Sequence, residues 1–283
     1  MKLLRIGESS AEIPAFIDES GVLRDCSSVT QDFTPTWLES GGIAELAKLD
    51  KKNLPEIRPG HRIGTPIANI GKVVCVGLNY SDHAAEAGQT PPDEPIIFMK
   101  PTTTLQGPDD PIILPPFGEK VDWEVELAII IGKRASYVKL DDARFHIAGF
   151  SIFNDVSERA FQLERGGQWV KGKGCDTFGP LGPWLVTVDE FTFPLRLGLS
   201  LEVNGVVLQS GTTEKMIFDV EYLVHYISQF MTLEAGDVIS TGTPPGVGMG
   251  QNPPRYLNSG DVVNLKIDQL GEQRQRVVSF NDE

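Results

Sequence analysis

The chain has 283 residues, 40% hydrophobic and 23% charged, an ordinary balance for a soluble globular protein with room for a substantial core. A formal net charge of -14 and a pI of about 4.8 argue against a nucleic-acid or anionic-membrane surface, because both need clustered Lys and Arg. Any anionic substrate must therefore meet a locally basic pocket.

Three cysteines, Cys26, Cys75 and Cys175, lie far apart with no CxxC pair. That pattern fits a reducing compartment and no disulfide framework. The opening MKLLRIGESSAEIPAF has no apolar h-region, and no run of about 18 apolar residues follows it. The expectation is a cytoplasmic protein.

In chain order, MKLLRIG and PAFIDESGVLRDC alternate like short strands around an SG turn, and TPTWLESGGIAELAKLD reads as a short helix. The Gly- and Pro-rich RPGHRIGTPIAN then predicts a linker, giving a small N-terminal domain over 1–66 and a larger one over 67–283. In the larger part, KVVCVGLNY is a strand and SDHAAEAG a short helix, with Ser81 or Asp82 as N-cap and Gly88 as stop. PIIFMKP, VDWEVELAIIIGK and IAGFSIFNDVS are further strands, and SERAFQLER is helical in pattern. LRLGLSLEVNGVVLQSGTT is a hairpin turning at Asn-Gly, EYLVHYISQFMTL an amphipathic helix, and DVVNLKIDQLGEQRQRVVSF a closing hairpin. Many short strands and few helices predict a mostly β (α+β) fold, rolled or barrel-like.

Side chains alternate along a strand, so Glu124 and Glu126 share one face of VDWEVELAIIIG, while Val125, Leu127 and Ile129 share the other. Two carboxylates held side by side away from water repel, and something must compensate. A hard divalent cation would do so, with Asp155 at the end of IAGFSIFND as a third oxygen ligand. The alternative is a solvated strand face answered by an Arg or Lys.

His83 and Glu86, three apart on the predicted helix, share a face, and a carboxylate there can orient an imidazole that takes a proton from water. The alternative is a surface helix pair without chemistry. QWVKGKGCDTFGP places Lys171 and Lys173 among glycines, where a lysine could neutralise a substrate carboxylate or the loop could simply be flexible and solvated. Arg159 and Gln162 could face the same ligand. Thr241 and Thr243 of TGTPPGVG could bind an anion through hydroxyls and amides, although no P-loop lysine follows. Cys175 as a nucleophile competes with a small structural cysteine.

Taken in order, GLNYSDHAAEAG, PIIFMKP, DWEVELAIIIGK, GFSIFNDVSER, the Lys-Gly stretch and TGTPPGVG resemble the fumarylacetoacetate hydrolase family over about residues 70–280. The resemblance implies a mixed β-roll catalytic domain, usually a homodimer. It implies Glu124, Glu126 and Asp155 as ligands of Mg2+, with Mn2+ or Ca2+ as substitutes. It implies His83 and Glu86 as a water-activating dyad on a lid-like segment, and Lys173 as the lysine beside the metal. Gln162 and Thr177 match ligand-contact positions, as do Tyr80, Lys100, Arg159 and Thr243 less closely. The activity implied is C–C hydrolysis of a 2,4-diketo acid (an acylpyruvate) to release pyruvate. The motif wording is most similar to enzymes acting on 2,4-diketo-3-deoxy-L-rhamnonate or -fuconate. Oxaloacetate decarboxylation, 2-hydroxymuconate-type isomerisation and ureidoglycolate lysis use a similar site. A non-catalytic protein with a structural cation would instead have a closed site and no need of His83.

Overall fold

The computed structural model describes residues 1–86 and 88–282. Its central strand is Val125–Ile131, VELAIII, buried along its whole length. Continuous burial on both faces belongs to the middle of a sheet. The Ile147–Asn154 and Val238–Ser240 strands flank it, both antiparallel. Beyond Ile147–Asn154 the sheet continues through Gly179–Thr187, Lys2–Ile6, Ile13–Ile17 and Leu23–Asp25. On the other side Val73–Gly77 runs parallel to Val238–Ser240, and Ile96–Lys100 forms the edge. A second sheet joins Val206–Thr212, Gly198–Val203, Val262–Ile267, Gly271–Ser279 and Ile112–Leu114. The mostly β, mixed-sheet expectation holds, but among the described residues neither sheet closes into a barrel.

The Gly198–Val203 and Val206–Thr212 strands meet at Asn204-Gly205, with φ of 54° and 76°. Two positive φ values make the turn whose twist matches a hairpin, which is why Asn-Gly marks it in sequence. The closing hairpin is likewise present, Val262–Ile267 against Gly271–Ser279.

The central strand separates two cores. Leu127, Ile129 and Ile131 pack towards Leu199, Leu201, Val263 and Leu265 of the second sheet and towards Leu223, Val224 and Ile227 of the Val220–Ser228 helix. Ala128 and Ile130 pack the other way, against Leu3, Phe16, Phe33, Leu38 and Leu46. Residues 1–66 therefore share both a sheet and a core with the rest, and the expected boundary at 66 is not a break in packing.

Two helices differ from expectation. The 35–47 segment forms two short helices, Pro35–Glu39 and Gly42–Ala47, because Gly41 takes a φ of 84° between them. SERAFQLER is helical only over Arg159–Leu163; Ser157–Glu158 pairs with Val121–Asp122, and the Glu158 carboxylate caps the helix by accepting from Phe161 N. No helix among the described residues is long and apolar enough to cross a membrane.

Candidate active site

Strand register assembles the carboxylates. Glu124 and Glu126 are in phase with Ala128 and Ile130 and are buried. Asn154 lies opposite Val125, so Asp155 falls beside Glu124 and its amide donates to the Glu124 carbonyl at 3.0 Å. Oxygens of Glu124, Glu126 and Asp155 all lie within 4.8 Å of one another.

Three cations answer this cluster. Lys173 Nζ donates to Glu124 Oε2 at 2.5 Å and to Asp155 Oδ2 at 2.8 Å. Lys100 Nζ donates to Asp155 Oδ1 at 2.6 Å and to the Val156 carbonyl at 3.0 Å. Arg159 donates through Nη2 to Glu124 at 2.7 Å, through Nε to Asp122 at 2.8 Å and through Nη1 to Gln162 Oε1 at 3.1 Å. Glu126 has no cation among the described residues. Its Oε2 accepts from the Ser240 hydroxyl and from Gly242 N, and its Oε1 has no hydrogen-bond partner there.

Four buried carboxylates, Asp122 included, thus face three cations, leaving one negative charge in excess. Burial raises the Glu124 carboxyl, but the Lys173 and Arg159 charges outweigh it and bring it down to about 2. Burial, with Asp155 and Glu124 adding repulsion, pushes Glu126 well above the usual carboxylate range. The excess negative charge is therefore centred on Glu126, where a positive charge, a proton or a cation, would offset it. A hard divalent cation fits the same place: the donors are oxygens, and replacing one proton by two charges leaves the cluster net positive for an anionic substrate.

The TGTPPGVG loop does bind anions, but they belong to the protein. Gly242 N holds Glu126; Gly246 N donates to both oxygens of Glu86 at 3.0 and 3.2 Å; Gly248 N and Met249 N hold Asp122 at 2.6 and 3.0 Å. Gly246 has a φ of +105°, and a Cβ there would stand 1.9 Å from the Leu208 carbonyl oxygen, so only glycine serves. The Thr241 and Thr243 hydroxyls donate to the Leu127 and Val125 carbonyls, each at 2.9 Å, and tie the loop to the central strand. They are not free anion ligands as the sequence suggested.

His83 Nδ1 lies 3.0 Å from Glu86 Oε2, so the i, i+3 pair is formed. Its helix, Ser81–Glu86, is anchored by buried Asn79, whose amide donates to the Thr241 and Phe218 carbonyls and accepts from Phe218 N. His83, Glu86, Glu124, Glu126, Arg159, Gln162, Lys173 and Thr243 line one cavity of about 460 Å³.

Three expected contact residues stand elsewhere. Lys100 is spent on Asp155 and does not line the cavity. Tyr80 is wholly buried behind it, its hydroxyl without a partner among the described residues. The Thr177 hydroxyl accepts from Ile113 N at 2.9 Å and lines a different, polar cavity beside Arg5 and Arg62. The Lys-Gly stretch is not a floppy loop: Val170–Lys173 is helical, and Gly172 passes so close to the Glu158 carbonyl that a Cβ would sit 2.3 Å from it. That approach buries Lys173, while Lys171 turns out to donate to the Arg165 carbonyl. Burial pushes the Cys175 thiol up to about 11, so it offers no thiolate at neutral pH.

Sequence reading missed Asp122, although the i, i+2, i+4 spacing of Asp122, Glu124 and Glu126 was the available signal. Its two oxygens accept from Trp123 N, Gly248 N, Met249 N and Arg159 Nε, joining the glycine loop to the ion cluster. Asp122→Asn would turn a donor towards donors and leave Arg159 short of a charge. It should lower stability in urea unfolding by roughly 3 kcal/mol, the scale of breaking a buried ion pair.

The site so built has known counterparts. The Fumarylacetoacetate (FAA) hydrolase C-terminal family matches residues 72–278. A Burkholderia orbicola (strain MC0-3) protein, whose name gives hydrolase as a provisional description and states no substrate, is 50% identical over 277 residues, covering 98% of each chain. Among solved structures, a 5-carboxymethyl-2-hydroxymuconate delta-isomerase from Mycobacterium smegmatis is 35% identical, with a TM-score of 0.78 over 99% of each chain. Maleylpyruvate hydrolase from Sphingobium sp. SYK-6, in complex with manganese(II) and pyruvate, is 28% identical, with a TM-score of 0.82 over 99% of each chain. The chain belongs to the fumarylacetoacetate hydrolase family. Enzymes of more than one reaction, hydrolysis and isomerisation, share its fold.

Proposed function

We propose that the protein is a divalent-metal-dependent hydrolase that cleaves the C3–C4 bond of a 2,4-diketo acid and releases pyruvate. The observation that carries this reading is one cavity lined by Glu124 and Glu126 of the carboxylate cluster and by the His83–Glu86 pair. The likeness to a hydrolase that holds manganese(II) and pyruvate supports it.

Glu124, Glu126 and Asp155 would hold the ion, Mg2+ by preference, with Mn2+ or Ca2+ as substitutes. Bound there, the ion would supply Lewis-acid polarisation of the keto-acid oxygens. Lys173 and Arg159 add fixed positive charge beside the substrate carboxylate, and Gln162 offers its amide nitrogen. The Gly246 amide fixes Glu86, and Glu86 holds His83 Nδ1, leaving Nε2 to take a proton from water. The resulting hydroxide adds to C4 of the substrate. The C3–C4 bond then breaks, its electron pair passing into the enolate of pyruvate, while C4 leaves as a carboxylic acid. The proton held on His83 is returned to C3, completing pyruvate.

A second reading has a specific support, the 35% identity to an isomerase. There His83 would carry a proton between carbons and no water would be consumed. Oxaloacetate decarboxylation and ureidoglycolate lysis are tested with the same preparation. A structural-cation protein is disfavoured because the acidic cluster opens into a cavity. By the same resemblance we include a homodimer in the proposal, checked by sedimentation.

The deciding experiment measures pyruvate release from simple acylpyruvates and from 2,4-diketo-3-deoxy rhamnonate and fuconate, with Mg2+ and with chelator. Activity undiminished by thorough chelation would sink the reading. Metal loading itself has an expected signature. Because Glu126 must give up its proton, binding at mildly acidic pH should release about one proton per ion, and affinity should rise with pH. Calorimetry in two buffers of different ionisation enthalpy reads this directly, and equal heats would refute it.

A further inference from the structure

The polar groups of the cavity are nearly all committed. The ion cluster and the His83–Glu86 pair use every charged side chain that lines it. Gln162 gives its oxygen to Arg159, and the Thr243 hydroxyl is bonded to the Val125 carbonyl and to Gln209. Beyond the groups assigned above to the metal, the keto acid and water activation, the Gln162 amide nitrogen and His83 Nε2 among them, the described lining residues leave Gln89, an exposed side chain, as a polar partner for the rest of the substrate.

The rest of the wall is apolar, and its outer part faces solvent. Ile96, Leu163 and Met249 line the cavity yet are 39%, 47% and 41% exposed. Trp169 stacks edge-on to Phe98 at 5.3 Å, and Phe98 lies under Lys173 Nζ at 5.1 Å. The cavity is thus ionic at its buried floor, and its mouth carries an apolar side at Ile96, Leu163 and Met249 as well as the exposed Glu86 and Gln89. Exposed apolar surface around a polar-floored cavity is the pattern of a ligand site whose outer half takes a hydrophobic group.

Resting on the diketo-acid reading above, we propose that the substrate's acyl arm is an apolar alkyl or aryl chain, seated between Ile96, Leu163, Trp169 and Met249. A polyhydroxylated sugar-acid arm would lose water on entering this wall and find almost no partner, a cost that an alkyl chain does not carry. The inference therefore departs from the sugar acids that the motif wording suggested.

The test separates binding from turnover. Straight-chain 2-oxo acids from pyruvate to 2-oxooctanoate are titrated calorimetrically into the Mn2+-loaded protein, alongside 2-keto-3-deoxygluconate. Each added methylene should tighten binding by about three- to fourfold until the cavity is filled. The hydroxylated acid should bind no better than pyruvate. Leu163→Ser and Met249→Ser should each cut the ratio of long-chain to pyruvate affinity by about tenfold, a ratio that a general loss of folding would not change. Chain-length-independent binding, or tighter binding of the hydroxylated acid, overturns the apolar arm. Acylpyruvate turnover is then assayed on the same samples. Affinity that rises with chain length without any pyruvate release would leave the apolar arm standing and sink hydrolysis.

Discussion

Replacing either Asp155 or Glu126 is expected to lower metal-dependent turnover by at least about a thousandfold, yet to move stability in opposite directions. Asp155 is the carboxylate of Lys100, whose ammonium is fully buried and, among the described residues, otherwise meets only the Val156 carbonyl. Asp155→Ala leaves that charge unpaired and should cost about 3–5 kcal/mol in urea unfolding. Glu126 is the carboxylate in excess. Its folded carboxyl sits well above the unfolded value, so Glu126's own contribution to the stability of the metal-free protein is greatest at low pH and is lost as pH rises, because the unfolded chain gives up a proton that the folded one retains. Glu126→Gln removes that loss. The amide oxygen can still accept from Ser240 and Gly242 N. The variant should melt higher than wild type at neutral pH without metal and gain nothing from added Mg2+. A fall in melting temperature for both variants would refute the charge accounting.

The second large effect is expected at His83. His83→Ala should reduce kcat by roughly 100- to 10,000-fold, the usual worth of a general base, with the calorimetric affinity for metal unchanged. Its ring is bonded to Glu86 and to no member of the ion cluster among the described residues, so its loss should not disturb Glu124, Glu126 or Asp155. Glu86→Gln should give a milder loss. An amide oxygen in the place of Oε2 can still accept from both the Gly246 amide and the His83 ring, but the amide nitrogen would then face Gly246 N and the charge that favours a protonated His83 is lost. Turnover that survives His83→Ala intact would remove water activation from the proposal and favour a reaction that needs no hydroxide.

Much of the candidate site is legible because its spacing is local. Alternation along a strand is fixed by backbone geometry, so Glu124 and Glu126 fall on one face whatever surrounds them. The same holds for His83 and Glu86 three apart on a helix, and for Asn204-Gly205 at a hairpin turn. Roles that depend on a side chain's partner were harder to read. Lys100 and Thr177 were both expected at the ligand. One is consumed by Asp155, 55 residues away, and the other by Ile113 N, 64 residues away. Asp122 had the right spacing, but nothing local indicates that four donors converge on it.

The sequence by itself determined the strand and helix periods, the pair of carboxylates on a buried strand, and the ordered motifs that match the family. Only the tertiary structure decided that three cations answer four carboxylates, that the glycine loop serves the protein's own acids, and that the cavity's mouth carries an apolar side. The physical reason is range. Periodicity is a property of a few neighbouring residues, whereas net charge and polarity at a site are sums over segments brought together by strand register and crossovers. The opposite stability effects expected for Asp155 and Glu126 follow from that sum, and no spacing between them in the chain contains it.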